Sequence, residues 1–511
     1  MDPFTTPTRV PDPASLAVIC GHQSLTFREL DGRARRLANV LHSRGIGRGH
    51  FVGVGLPRSI DLPVALLAIL RTGAAYVPLD PNDPPVRIAR MIAAAELKHV
   101  LTRHPLAEAF TAAETISVED GSDVDFPAVA DMDALMYAIF ASRPAAATVS
   151  RRGFSNLLDW YTRELALGPA DRTLVIGSPG DHRTQKNLFA PLISGGTLIL
   201  DEGVNYDVSC INALILDHGV TLINCLPGAF YPLVDAAACG GFAALASLRF
   251  AVLGGEPVSI SRLRAWLEHP NCRAEVINSY DFTECTDTCA FHRLHRGNLD
   301  DHPFVPLGRE IPNVRIFIRD EAQIPLPDGG VGELCIGGTS AGGGYLNDPQ
   351  RTAASFTGAL FRTGDLARRH PSGLLEFLGR VIPAGFRMLE DGKMDRLAQG
   401  NDQCPHPAPD TLESRILQIW SEVLGYHVTD ATTNLLDLGG NQALAEILCQ
   451  RLMEMTGRRF PVAHLFALSS ARAIASFLLP PVNDVATVPI IPVRARRTQT
   501  GFARFKRPVL R

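Results

Sequence analysis

Residues 51–80 read FVGVGLPRSIDLPVALLAILRTGAAYVPLD, and this stretch decides the fold class. FVGVGL, 51–56, is an apolar run of strand length, VALLAILRTG, 64–73, has helical length and stops at a glycine, and AAYVPLD is a second strand closed by proline-rich turns. Strand, helix and strand in immediate succession predict an α/β protein. Upstream, LTFRELDGRARRLANVLHSRG starts at residue 25 and sets Leu30, Ala34, Leu37, Val40 and Leu41 at helical spacing before Gly45, which suits a left-handed cap. Downstream the rhythm returns in TLVIGS, 173–178, in LISGGTLIL, 192–200, and as far as INSY, 277–280. From Gly332, GELCIGG and GLLEFLGR predict strands of a β-rich subdomain.

The pattern collapses over 382–410 into a polar, proline-containing stretch that reads as a linker. Beyond it LESRILQIWSEVLG, QALAEILCQRLMEMTG and VAHLFALSSARAIASFL predict three amphipathic helices, the content of a small bundle. The closing RARRTQTGFARFKRPVLR is a basic tail, expected to be a solvated end rather than a nucleic-acid contact. The 511 residues allow several compact units, and a net charge of −4 with 46% hydrophobic and 20% charged residues excludes collagen, a disordered tail protein and a global polyanion binder. No apolar run approaches a membrane span, the N-terminus lacks the regions of a signal peptide, and the ten cysteines are scattered without a CxxC. A cytoplasmic protein with reduced thiols, binding neither nucleic acid nor membrane, is expected.

LTFREL, LLAILRTGAAYVPLDP, GELCIGG with GYLNDP, and FRTGDLARRHPSGLLEFLGR resemble the core motifs of amino-acid adenylation domains in nonribosomal peptide synthetases, members of the adenylate-forming superfamily. LESRILQIWSEVLG and LLDLGGNQALAEI are similar to the carrier domain that follows them. The resemblance implies an α/β adenylation core at 10–381, a remnant hinge and linker at 382–408, a carrier-like helical bundle at 409–480 and the basic tail at 481–511. The core combines layered α/β subdomains with the β-rich one. Such proteins join ATP and a carboxylic acid into an acyl adenylate, release pyrophosphate, and pass the acyl group to the carrier thiol.

By that resemblance Gly254, Gly255 and Glu256, with Asn278, Ser279 and Tyr280, sandwich adenine, and Asp365 binds ribose. Thr283 contacts phosphate, Glu284 holds magnesium, and Arg380, just ahead of the hinge, is a further cofactor-binding position. ATP and Mg²⁺ are therefore the expected cofactors if nucleotide binding persists. The phosphate loop departs from the pattern: in YAIFASRPAAATVSRRGFSNLL the glycines are gone, the loop is about four residues short, and Ala145 and Ala146 stand where lysine and glycine belong. Arg143, Arg151 and Arg152 are the candidates to restore charge.

The acyl pocket departs too. Asp181 and His182 take the places of a phenylalanine and of the aspartate that pairs with the substrate ammonium, followed by Arg183, Thr184, Gln185 and Lys186. Such cations repel an ammonium, which disfavours an ordinary α-amino acid. The alternatives are an unusual acid or a drifted, partly exposed segment, the latter preferred. Asp287 and Thr288, at two further pocket positions, can still oppose an amine.

Past Arg380 the family's mobile C-terminal subdomain of roughly a hundred residues is largely missing. Ile382 takes the hinge position, and Lys393 in EDGKMDRLA is a remnant of the catalytic lysine motif that reads as an exposed linker residue. In LDLGGNQALA, Gln442 occupies the place of the serine that takes phosphopantetheine, so no arm is expected. The expected function is a degenerate adenylation–carrier fragment, weak or inactive in adenylation and tethering, with a binding or scaffold role beside other synthetase domains. The alternatives are an active ATP-dependent ligase acting in trans on a small carboxylic acid, and a nucleotide sensor resting on Tyr280, Glu284 and Asp365.

Overall fold

The computed structural model describes residues 11–124, 126–129, 131–140, 145–203, 206–380, 411–424, 448–449, 451–453, 455–456 and 471–478. The chain divides into two compact units, Met1–Gln399 and Gly400–Arg511.

The 51–80 stretch forms strand Phe51–Gly55, helix Asp61–Arg71 and strand Ala75–Pro78, the helix starting three residues ahead of its apolar run. The two strands are parallel, with Phe51 opposite Ala75. They lie inside a six-stranded sheet completed by His99–Thr102, Glu114–Ser117 and the antiparallel hairpin Leu135–Phe140 and Ala146–Ser150. The helix Phe27–Ser43 begins where expected because Thr26 and Glu29 form a capping box: Thr26 Oγ1 accepts from Glu29 N at 3.3 Å and Glu29 Oε2 accepts from Thr26 N at 2.8 Å. Gly45, at φ 75°, receives the chain after it. Leu30, Ala34, Leu37 and Leu41 are buried, and Val40 lies on the flank of that face.

A second sheet of nine strands is parallel through Arg172–Val175, Thr197–Leu200, Leu222–Cys225, Phe250–Gly254 and Glu275–Asp281. The antiparallel strand Thr288–Leu294 then returns beside Glu275–Asp281. The β-rich part is a five-stranded antiparallel sheet that includes Val331–Gly338, Leu360–Arg369 and Leu375–Arg380, as GELCIGG and GLLEFLGR predict. Functional positions cluster where Phe250–Gly254 and Glu275–Asp281 end, since open parallel sheets leave their crevice at the carboxyl ends of the strands.

In the second unit the helices Leu412–Leu424 and Ala471–Leu478 bury Ile416, Leu417, Trp420, Ile474 and Ala475, together with Leu448 and Leu452 from the middle predicted helix. Thr411 caps the first of them, accepting from Ser414 N at 3.2 Å. The linker with Ile382 and Lys393, the attachment position Gln442 and the basic tail lie outside the described residues.

Candidate functional site

The helix His182–Ser194 faces the 275–288 segment and supplies one wall of the site. Asp181 is its N-cap, accepting from Arg183 N at 2.9 Å, and Gly195 ends it in the left-handed region. The segment, expected to be partly exposed, is so only at its start: Asp181, His182 and Arg183 are half-buried, whereas Thr184, Gln185, Lys186 and Asn187 are all buried. Tyr76 OH donates to Gln185 at 2.7 Å and Tyr161 OH to Asn187 at 2.9 Å, so helix polar groups are satisfied by the neighbouring core.

The cations of this wall do not stand unpaired either. Lys186 Nζ lies 2.8 Å from both oxygens of Asp287, and both side chains have 0% exposure. Asp287 Oδ1 also accepts from Thr288 Oγ1 at 3.2 Å, and Thr288 meets Ser279 at 2.8 Å. Arg183 donates to Asp181 at 3.2 and 3.0 Å and sits 3.8 Å from Asp281. His182 bridges Asp281 Oδ1 and Thr283 Oγ1, each at 3.0 Å. Asp287 thus opposes a lysine of the protein itself, and Thr288 bonds to that same carboxylate.

Burial disfavours charge here, yet the partners outweigh it at three groups. Asp181 is desolvated, but Arg183 and His182 hold its carboxyl at about 2. Asp281 is likewise lowered against burial by its bond from His182 and the charge of Arg183. His182 is raised against burial by Asp281 and Asp181. Asp287 goes the other way: burial raises its carboxyl, partly offset by Lys186 and His182.

Two glycines show how tightly this wall closes. A side chain at Gly255 would collide with the guanidinium of Arg183, and one at Gly254 with the carboxylate of Asp281. Asp281 escaped the sequence reading, although a lone carboxylate between Tyr280 and Phe282 at the end of a buried strand is a visible signal.

On the nucleotide side, Tyr280 OH donates to Asp365 at 2.8 Å, joining the nine-stranded and five-stranded sheets at the expected ribose position. Burial pushes the Tyr280 phenol far up, so it remains a donor. Asn278 donates to the Pro306 carbonyl at 2.7 Å, and Glu256 accepts from Gly228 N at 3.0 Å. Glu284 accepts a 2.5 Å bond from Tyr345 OH, a contact the sequence did not announce. Among the described residues no cluster of three or more metal-ligating side chains occurs. Arg380 ends its strand opposite Asp365.

On the loop side, Ala146 is not in a loop but pairs with Phe140, and Ala145 and Ala147 are buried against Tyr345. Two of the candidate replacement charges are committed elsewhere. Arg151 is 0% exposed and donates to the carbonyls of Leu70, Ala74 and Val129 at 2.9, 3.2 and 3.1 Å, with burial lowering its pKa to about 10. Arg152 pairs with Asp133 at 2.5 Å on the surface. Arg143 lies outside the described residues.

Residues 8–346 match the family model described as AMP-binding enzyme. The chain belongs to that family. Residues 414–478 match the model for the phosphopantetheine attachment site, so adenylation and carrier regions follow one another as in a nonribosomal peptide synthetase module. The AMP-binding family implies use of ATP and Mg²⁺.

The chain is 31% identical to tyrocidine synthase 3 of Brevibacillus parabrevis over 92% of its own length and 9% of that protein, and 30% identical to bacitracin synthase 1 of Bacillus licheniformis over 76% and 7%. It therefore spans under a tenth of these two multi-domain relatives. The solved nonribosomal peptide synthetase FmoA3 superposes with a TM-score of 0.69 at 28% identity, covering 91% of this chain and 49% of that one. A long-chain-fatty-acid CoA ligase from Rhodopseudomonas palustris, at 22% identity and a TM-score of 0.64, shares the fold. Among the described residues, no helix of the adenylation–carrier chain is long and apolar enough to cross a membrane.

Proposed function

We propose that this adenylation–carrier fragment retains an ATP- and Mg²⁺-binding wall but is impaired in acyl adenylation and in thiol tethering. It serves as a binding or scaffold partner of other synthetase domains in peptide natural-product assembly, in the cytoplasm. The observation that carries this reading is the closed ion-pair network on the acyl side. Asp181, Arg183, Asp281 and His182 pair with one another and Lys186 pairs with Asp287, so the cations that an incoming carboxylate would need are already engaged; the buried oxygen left without a partner, Asp281 Oδ2, is an acceptor and does not attract an acid. Three further features support it. Arg151 and Arg152 are bound elsewhere, Ala145 and Ala146 bring no charge to the phosphate loop, and Gln442 offers no hydroxyl for phosphopantetheine.

Tyr280, Asp365 and Glu284 support persistence of nucleotide binding, and Lys393 is assigned to the linker rather than to catalysis. The proposed bounds are 10–381 for the core, 382–408 for the linker, 409–480 for the carrier and 481–511 for the tail. The test is pyrophosphate exchange over a broad panel of carboxylic acids, run beside calorimetric titration with Mg·ATP. Heat on titration with no exchange above background is expected. Exchange with any acid overturns the claim of impairment, and absence of heat overturns the claim of a retained nucleotide wall.

A further inference from the structure

His182 opens the 182–194 helix and Thr283 opens the turn after the 275–281 strand, and the imidazole between them has both ring nitrogens engaged. Asp281, an ionised carboxylate, can only accept, so Nε2 carries a proton in every state of the ring. Nδ1 then decides what Thr283 does. With a neutral ring, Nδ1 is an acceptor and Thr283 gives it the single hydroxyl proton. With a charged ring, Nδ1–H donates to Thr283 Oγ1, and the hydroxyl proton turns toward another acceptor.

The surrounding charges act in the same direction. His182 is faced by Asp181, Arg183 and Lys186 from its own helix and by Asp281 and Asp287 from the opposing strand and turn, with Glu284 next to Thr283. With Glu284 counted among them, the carboxylates outnumber the cations around the ring while His182 is neutral, which opposes an anion. Protonation of the ring reduces that excess.

The geometry points to His182 and Thr283 as a proton-gated binding site for the phosphate of an adenine nucleotide, open when the imidazole is charged and closed when it is neutral. This rests on the reading that the nucleotide wall persists. In that setting His182 supplies from the helix side a cation that Ala145 and Ala146 do not supply from the loop. The raised pKa of His182 keeps the charged form accessible near neutrality, and the phosphate affinity it provides is present at low pH and lost as pH rises through that value.

The probe is the methyl ester of adenosine 5′-monophosphate, whose phosphodiester keeps one charge throughout, with adenosine as the phosphate-free control. Both are titrated calorimetrically into the full chain in EDTA from about pH 5.5 to about pH 8.5. The ester is expected to lose about tenfold in affinity over that range while adenosine stays level, a hydrogen bond to a charged group being of that size. His182→Gln should flatten the ester curve, Thr283→Val should lower ester affinity at the acid end, and unchanged adenosine binding shows both variants folded. Asp281→Asn should move the midpoint to lower pH. A ratio of ester to adenosine affinity that does not change with pH, or a slope that survives in His182→Gln, overturns the inference alone. Absence of binding by both ligands at every pH overturns the nucleotide reading and the inference together.

Discussion

Removing Lys186 is the sharpest perturbation the site offers. Its ammonium and the Asp287 carboxylate are both at 0% exposure, with two contacts of 2.8 Å between them, and Thr288 is a second side-chain donor to Asp287, at 3.2 Å. Lys186→Met keeps the length of the side chain and deletes the charge, leaving a dry carboxylate with one hydroxyl donor. Breaking a buried pair in this way costs about 3–5 kcal/mol, and Asp287→Val strands the ammonium at similar cost. With roughly 2 cal/mol/K of unfolding entropy per residue over the Met1–Gln399 unit, that corresponds to a fall of about 4–6 °C in its melting midpoint. The double variant Lys186→Met with Asp287→Val removes both charges and is expected to return to within about 2 °C of the parent, because desolvation and attraction disappear together. The assay is thermal unfolding of all four proteins followed by intrinsic fluorescence, read as a double-mutant cycle. Single losses below about 1 kcal/mol, or a double variant whose loss equals the sum of the two, would refute a tightly coupled pair inside a closed wall.

Arg151→Met strips donors from three backbone carbonyls and should destabilise the chain by about 3 kcal/mol in urea unfolding, whereas Arg152→Ala, which breaks a surface pair, should cost less than about 1 kcal/mol. Equal effects would contradict the assignment of Arg151 to the fold. Gly254→Ala places a methyl group against the Asp281 carboxylate and 2.7 Å from the Ser279 carbonyl, so a lower melting midpoint is expected, with Asp281→Gly recovering part of it. A neutral Gly254→Ala sinks this packing. For the carrier region, incubation with a promiscuous phosphopantetheinyl transferase and coenzyme A should give no mass gain in the parent and a gain in Gln442→Ser; labelling of the parent would contradict the loss of tethering.

Local signals carried most of the fold. Strand, helix and strand over 51–80, the capping residues Thr26 and Glu29, and the β-rich run from Gly332 are set by periodicity and hydrogen bonding within a few residues, so one window suffices. The site was legible as a set of positions and not as a set of pairs. His182, Arg183 and Lys186 look like an unopposed cationic stretch when read along the chain, because their partners Asp281 and Asp287 lie about a hundred residues away and meet them only when the 275–281 strand is laid beside the helix. Arg151 and Arg152 are adjacent in sequence and identical in type, yet one is sealed among carbonyls and the other is solvated. That difference depends on which face of the 151–164 helix meets the sheet.

The Lys186–Asp287 pair has a consequence for the history of this chain. A substitution at one partner alone passes through an intermediate with a stranded charge and a stability deficit comparable to the whole margin of many proteins. Replacement of the pair by uncharged residues therefore requires both positions to change nearly at once, and single-step mutation meets a valley from either side. Such a wall behaves as an evolutionary ratchet: once both charges are present, each holds the other in place.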